Sequence, residues 1–84
     1  MSVRQKLRTF ILENYLFTDD SAALADRDSF LAQGILDSTG ILEVIFFIEE
    51  QFNIKVDDEE MIPENLDSID HLVAFIDRKQ KAIA

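Results

Sequence analysis

Gly34-Ile35-Leu36-Asp37-Ser38-Thr39-Gly40, followed by the apolar run Ile41 to Phe52, is the stretch on which the fold turns. A glycine ends one segment, a short acceptor side chain can cap the next, and a strongly periodic helix begins at once. Capping satisfies amides that the first helical turn leaves without partners. If Asp37 is the cap, Ser38 is the first helical residue. Its hydroxyl then points outward at the positive end of the helix dipole, where free amides and the macrodipole stabilise a phosphate. The alternative is that Ser38 merely shares the capping. From Ser38 to about Asn53, the residues Ile41, Val44, Ile45, Ile48 and Phe52 fall within one narrow arc. Thr39, Leu42, Glu43, Phe46 and Glu50 lie almost opposite, with Glu49 beside Leu42, and Phe46 stands about 140° around the helix from Ile41. Two large apolar residues on an acidic face do not belong to the main core. Either the preceding loop covers them, with Phe46 near Phe30 or Leu31, or they form a contact surface rimmed by Glu43, Glu49 and Glu50.

Upstream, Val3, Leu7, Phe10, Ile11 and Tyr15 repeat at helical spacing and predict a first helix from about Val3 to Phe17. Leu12, Leu16 and Phe17 widen its stripe, and the loop that follows is expected to cover them. That loop, Thr18 to Asp37, is long for a compact domain. Its economical reading is a packed segment with a turn of helix near Phe30, pinned by Phe30, Leu31, Ile35 and Leu36, that holds Asp37 and Ser38 at the surface. Downstream, Asn53 to Asp67 reads as a connection with a short third helix. Ile54 and Val56 are isolated apolar contacts, Asp57-Asp58-Glu59-Glu60 favours a helix start, and Pro63 ends that piece or opens the next turn. The quartet lacks the spaced ligands and central glycine of a calcium loop, so no metal site is expected. Asp67 or Ser68 then caps a last helix with Ile69, Leu72, Val73 and Ile76 on one face and Phe75 at its edge. Arg78, Lys79 and Lys81 sit in its final turns, where they suit the carbonyl end. His71, the only histidine, falls on the polar side and reads as solvated surface.

Eighty-four residues make one domain, 1–84, with a modest core, and 48% hydrophobic content is too much for a disordered tail of net charge −9. Three longer helices and one short one specify an all-α bundle. There is no cysteine, no metal-ligand cluster and no glycine-rich phosphate loop in the pattern, so the chain does not read as an enzyme. Met1-Ser2-Val3-Arg4-Gln5-Lys6 lacks a signal-peptide core, and no long uncharged apolar span follows, so a cytoplasmic protein is expected. Six of the eight basic residues lie at the ends: Arg4, Lys6, Arg8, Arg78, Lys79 and Lys81. All 17 acids lie between Glu13 and Asp77, opposed there only by Arg27 and Lys55, which leaves −15. Such a field repels nucleic acid and anionic membrane and steers a basic protein surface onto the domain.

Gly34-Ile35-Leu36-Asp37-Ser38 ahead of an acidic amphipathic helix resembles the attachment motif of the acyl carrier proteins. Glu49-Glu50-Gln51-Phe52-Asn53-Ile54 and Ser68-Ile69-Asp70-His71-Leu72-Val73-Ala74-Phe75-Ile76 extend the resemblance through nearly the whole chain. It implies a monomeric carrier whose serine, here Ser38 next to Asp37, bears 4'-phosphopantetheine and holds an acyl or aminoacyl group as a thioester. The arm also supplies the reactive thiol that this cysteine-free chain lacks. The implied partners are a phosphopantetheinyl transferase and acyl or aminoacyl ligases or transferases with basic surfaces. The family's recognition positions fall on Thr39, Leu42, Glu43, Phe46 and Glu50. Thr39 replaces the large apolar residue of most fatty-acid carriers and Gly40 a charged or aliphatic one. Leu36-Asp37-Ser38-Thr39-Gly40 thereby looks closer to D-alanyl and aminoacyl carriers, and the resemblance leaves the cargo open among fatty acyl, polyketide, aminoacyl and D-alanyl groups. The reading from a different class is an unmodified acidic domain that binds a basic or amphipathic helix.

Overall fold

The computed structural model describes residues 2–83. The first helix, α1 (Val3–Ile11), starts from a capping box in which Ser2 and Gln5 exchange bonds, and Leu7 and Ile11 face the core. Instead of continuing as a regular helix to Phe17, the chain widens into a π-helical turn over Leu12–Leu16 and stops with Phe17 in the left-handed region. The amides of Phe17 and Thr18 both reach back to the Leu12 carbonyl. Leu12 is buried by this and Leu16 half-buried, but the expected cover for Phe17 is absent: it is 83% exposed.

The long loop is packed, as its apolar anchors required. Phe30 and Leu36 are buried and Ile35 is half-buried; Leu24 is a further buried anchor, whereas the Leu31 side chain is 46% exposed and is not a core anchor. Hydrogen bonds supply the rest. The Leu31 amide and the Ser29 hydroxyl both donate to the Asp67 carboxylate, the Phe30 amide donates to the Asp67 carbonyl, and the Asp70 amide donates to the Asp26 carbonyl. Arg4 reaches Asp26 and Asp70 at 2.6 Å each, and Arg8 joins the same Asp26, so α1, the loop and the last helix are tied at one point.

Helix α2 (Ser38–Phe52) ends at Asn53, also left-handed, and α3 (Pro63–Leu66) opens on Pro63, whose fixed φ suits the first helical position. The acidic quartet forms a 3-10 turn, Asp58–Glu60, which holds a cation from the last helix: Lys79 Nζ lies 2.7 Å from Glu60. That corrects the reading of the terminal basic residues. Lys79 pairs with Glu60, Arg78 donates to Asn65 Oδ1 and Lys81 pairs with Asp77, so carboxylates and an amide engage them. Helix α4 (Ile69–Ile83) is capped by Ser68, whose Oγ accepts the His71 amide at 3.0 Å, while Asp67 serves the loop. His71 is exposed, and Phe75 is wholly buried, well inside the edge position its spacing suggested. Ile54 and Val56 likewise belong to the single core, which α4 shares with α1, α2 and α3. The result is the all-α bundle of three longer helices and one short one.

Candidate functional site

Asp37 is the cap of α2. Its backbone is extended, and its Oδ1 accepts the Gly40 amide at 2.8 Å. This decides the alternative left open by the sequence: Ser38 is the first helical residue and is exposed. The amides of Ser38 and Thr39 lie in the turn that has no intrahelical acceptors, so a phosphate ester on the Ser38 hydroxyl would meet free N–H groups and the positive end of a 15-residue helix. The chain's own residues therefore fit a serine-linked phosphodiester.

The support beneath Ser38 comes from Gly40, which is buried although it lies one turn inside an exposed helix start. A Cβ there would stand 3.1 Å from Leu36 Cδ2 and 3.4 Å from the Tyr15 ring. Glycine lowers helix propensity by about 1 kcal/mol relative to alanine, and here it lets a loop anchor and α1 close onto the turn that carries Ser38. Tyr15 is placed by the π-helical turn, and its hydroxyl donates to Glu43 Oε2 at 2.7 Å. Burial, and then the hydrogen bond to Glu43, push the Tyr15 phenol up to about 12.

The two faces of α2 separate as the periodicity demands. Val44, Ile45 and Ile48 are buried, and Ile41 and Phe52 are half-buried. Thr39, Glu43 and Glu50 are exposed, Leu42 is 48% exposed and Phe46 66% exposed. Phe46 is thus not packed beneath the loop. Glu49 does not belong with that face, because its carboxylate accepts the Val56 amide at 2.9 Å and holds the connection after α2. Beside Ser38 an apolar groove of about 300 Å³ runs between Leu42 and Ile45 of α2 and Met61, Ile62 and Leu66. Leu31, Met61 and Ile62 at its margin are exposed, and periodicity could not mark them because they lie outside regular helix.

No family model matches the chain. Individual relatives do. The D-alanyl carrier protein of Streptococcus equi subsp. zooepidemicus is 39% identical over 67 residues, which cover 80% of this chain and 84% of that one. The D-alanyl carrier protein of Streptococcus pyogenes serotype M1 is 36% identical over the same shares. Among solved structures, the holo acyl carrier protein of Nitrosomonas europaea superposes with a TM-score of 0.74 at 26% identity, covering 96% of this chain and 99% of that one. A chain in the crystal structure of an FAD-dependent dehydrogenase superposes with a TM-score of 0.71 at 28% identity, covering 83% and 97%.

Proposed function

Because this chain belongs to the carrier-protein family of the D-alanyl and acyl carrier proteins, we propose that Ser38 is its 4'-phosphopantetheine attachment point and that its cargo is an aminoacyl group. The observation that carries the assignment is the division of labour at the start of α2: Asp37 does the capping, and Ser38 is left exposed at the helix N-terminus. The aminoacyl cargo is supported by the D-alanyl carrier relatives and by Leu36-Asp37-Ser38-Thr39-Gly40. When bound, the arm supplies a thiol on which the cargo rides as a thioester.

The chain's own residues do the presenting. The first turn of α2 holds the modified serine at the surface, Gly40 seats that turn on Leu36 and Tyr15, and Thr39, Leu42, Glu43, Phe46 and Glu50 offer an acidic face with an apolar centre to basic enzymes. Residues 1–84 act as one carrier domain, in keeping with a single core that runs from Leu7 to Ile76. Among the described residues no helix is long and apolar enough to cross a membrane. The proposed partners are a phosphopantetheinyl transferase and an aminoacyl ligase.

The test is intact mass after incubation with coenzyme A and a broad-specificity phosphopantetheinyl transferase, followed by loading with an amino acid or a fatty acid by the corresponding ligases. The parent gains one phosphopantetheine group and then an amino acid in thioester linkage. Ser38→Ala gains neither, yet melts within about 1 kcal/mol of the parent, because Asp37 supplies the cap. A pure, folded parent that no transferase modifies refutes the carrier assignment. Thioester formation on Ser38→Ala refutes the site alone.

A further inference from the structure

Phe17 is the most exposed large apolar side chain among the described residues and does not touch the groove beside Ser38. Its backbone lies at φ 53°, ψ 43°, left-handed territory that a bulky side chain enters only against steric resistance. The position explains the conformation. With the Thr18 amide bonded to the Leu12 carbonyl six residues back, Phe17 occupies the helix-terminating site that glycine fills in most helices. Two unfavourable features, backbone strain and a bare aromatic ring, therefore fall on one residue, and glycine would relieve both. Strain of this kind persists at functional positions.

The surroundings supply the chemistry of what covers the ring. Glu13 and Asp19 beside it are exposed, and with Thr18 they line a shallow hollow with Phe17. An apolar knob set among carboxylates suits an apolar socket rimmed by lysine or arginine. Its location is equally telling. Two residues earlier, Tyr15 touches Gly40 and bonds to Glu43, and two residues span at most about 7 Å. Phe17 is therefore at the same end of the bundle as Ser38, within reach of an enzyme that engages Ser38. The enzyme that installs the arm meets a chain with neither arm nor cargo, so it has only protein surface to grip.

We propose that Phe17 is a docking anchor for the phosphopantetheinyl transferase, separate from the α2 face; this rests on the carrier reading above. The ring enters an apolar socket on the transferase while Glu13 and Asp19 meet its basic rim. The experiment follows modification of the full-length apo chain by coenzyme A and a transferase, with rates read by intact mass against carrier concentration. Phe17→Gly is expected to raise Tm by about 3–6 °C, since relief of the left-handed strain outweighs the freedom that glycine adds to the unfolded chain. It should also raise KM for the carrier tenfold or more at nearly unchanged kcat, the signature of lost uniform binding. Phe17→Asn, which also tolerates the left-handed region, should reproduce the KM, and Phe17→Tyr, which keeps the ring, should stay within about twofold of the parent. If Phe17→Gly keeps the parent's KM, or if Phe17→Tyr loses as much as Phe17→Gly, the proposal is overturned while the carrier assignment stands. A parent that is never modified overturns both.

Discussion

Removing the side chains of Ile45 and Phe46, neighbours on α2, should have opposite consequences. Ile45 is 2% exposed in the core shared with α4, and truncating a buried isoleucine to alanine costs about 2–5 kcal/mol, through lost transfer energy and the cavity left behind. A domain of this length has roughly 4–13 kcal/mol to lose, so Ile45→Ala should move the urea midpoint by 1 M or more. Phe46 is 66% exposed. A phenylalanine presents about 200 Å² in all, so the third that is covered is worth at most ~1.7 kcal/mol at 25 cal/mol per Å². Part of that area is backbone and Cβ, which alanine retains, so the expected loss is about 1 kcal/mol or less. If Leu42 and Phe46 form the apolar centre of the enzyme-facing surface, Phe46→Ala should nevertheless slow modification or loading tenfold or more, the effect of a lost anchor residue. Urea titration and initial loading rates on the same two variants decide it. A Phe46→Ala protein that loses several kcal/mol yet is loaded at the parent's rate would refute the assignment of faces.

Three further outcomes follow from the charges. Tyr15 is the only tyrosine, so its phenolate absorbance reports one group; it should titrate near 12, and Glu43→Gln should bring it down. Since the folded value lies above the unfolded value of about 10, the stability it contributes is complete below pH 10 and is lost as pH rises toward 12, and a titration at 10 in the folded parent would contradict the Tyr15–Glu43 bond. At the acid end, burial raises the Asp26 carboxyl but the hydrogen bonds from Arg8 and Arg4 outweigh it and hold the group below its ordinary value, and Lys79 does the same for Glu60. Their contribution is complete above about pH 4 and disappears as pH falls through the lowered values, so Asp26→Asn should flatten the acid limb of the stability profile. An unchanged slope would show that the Arg4–Asp26–Arg8 tie contributes nothing. Finally, association with the transferase should slow steeply as salt rises, and Glu50→Lys should slow it further at low salt; a rate that is flat in salt assigns the acidic surface to solubility alone.

The helices and their inward faces were legible because their causes lie within one or two turns. Ile41, Val44, Ile45 and Ile48 mark their own arc, Asp37 and Ser68 reach amides three residues ahead, and Pro63 fixes its own φ. Gly40 was legible only as a weakness of the helix. Its use, a seat for Leu36 and Tyr15, depends on chain 25 residues away and on a π-helical turn that no apolar spacing announces.

By itself the sequence determined the order of the longer helices, the placement of Asp37 and Ser38 at the second helix's start, and the acidic field around it. Each depends on residue identity at short range or on summed charge. Tertiary structure alone decided which polar groups serve which ends. Asp67 was available as a helix cap but is engaged by Ser29 and Leu31, Glu43 could have faced solvent freely but binds Tyr15, and Glu49 left the acidic face for Val56. It also decided that Phe46 is not packed beneath the loop and that Phe17 is left 83% exposed. A carboxylate has several acceptor sites and a phenylalanine no directional preference, so local pattern leaves their partners open. What settles them is which segments the single core brings within 3 Å of one another.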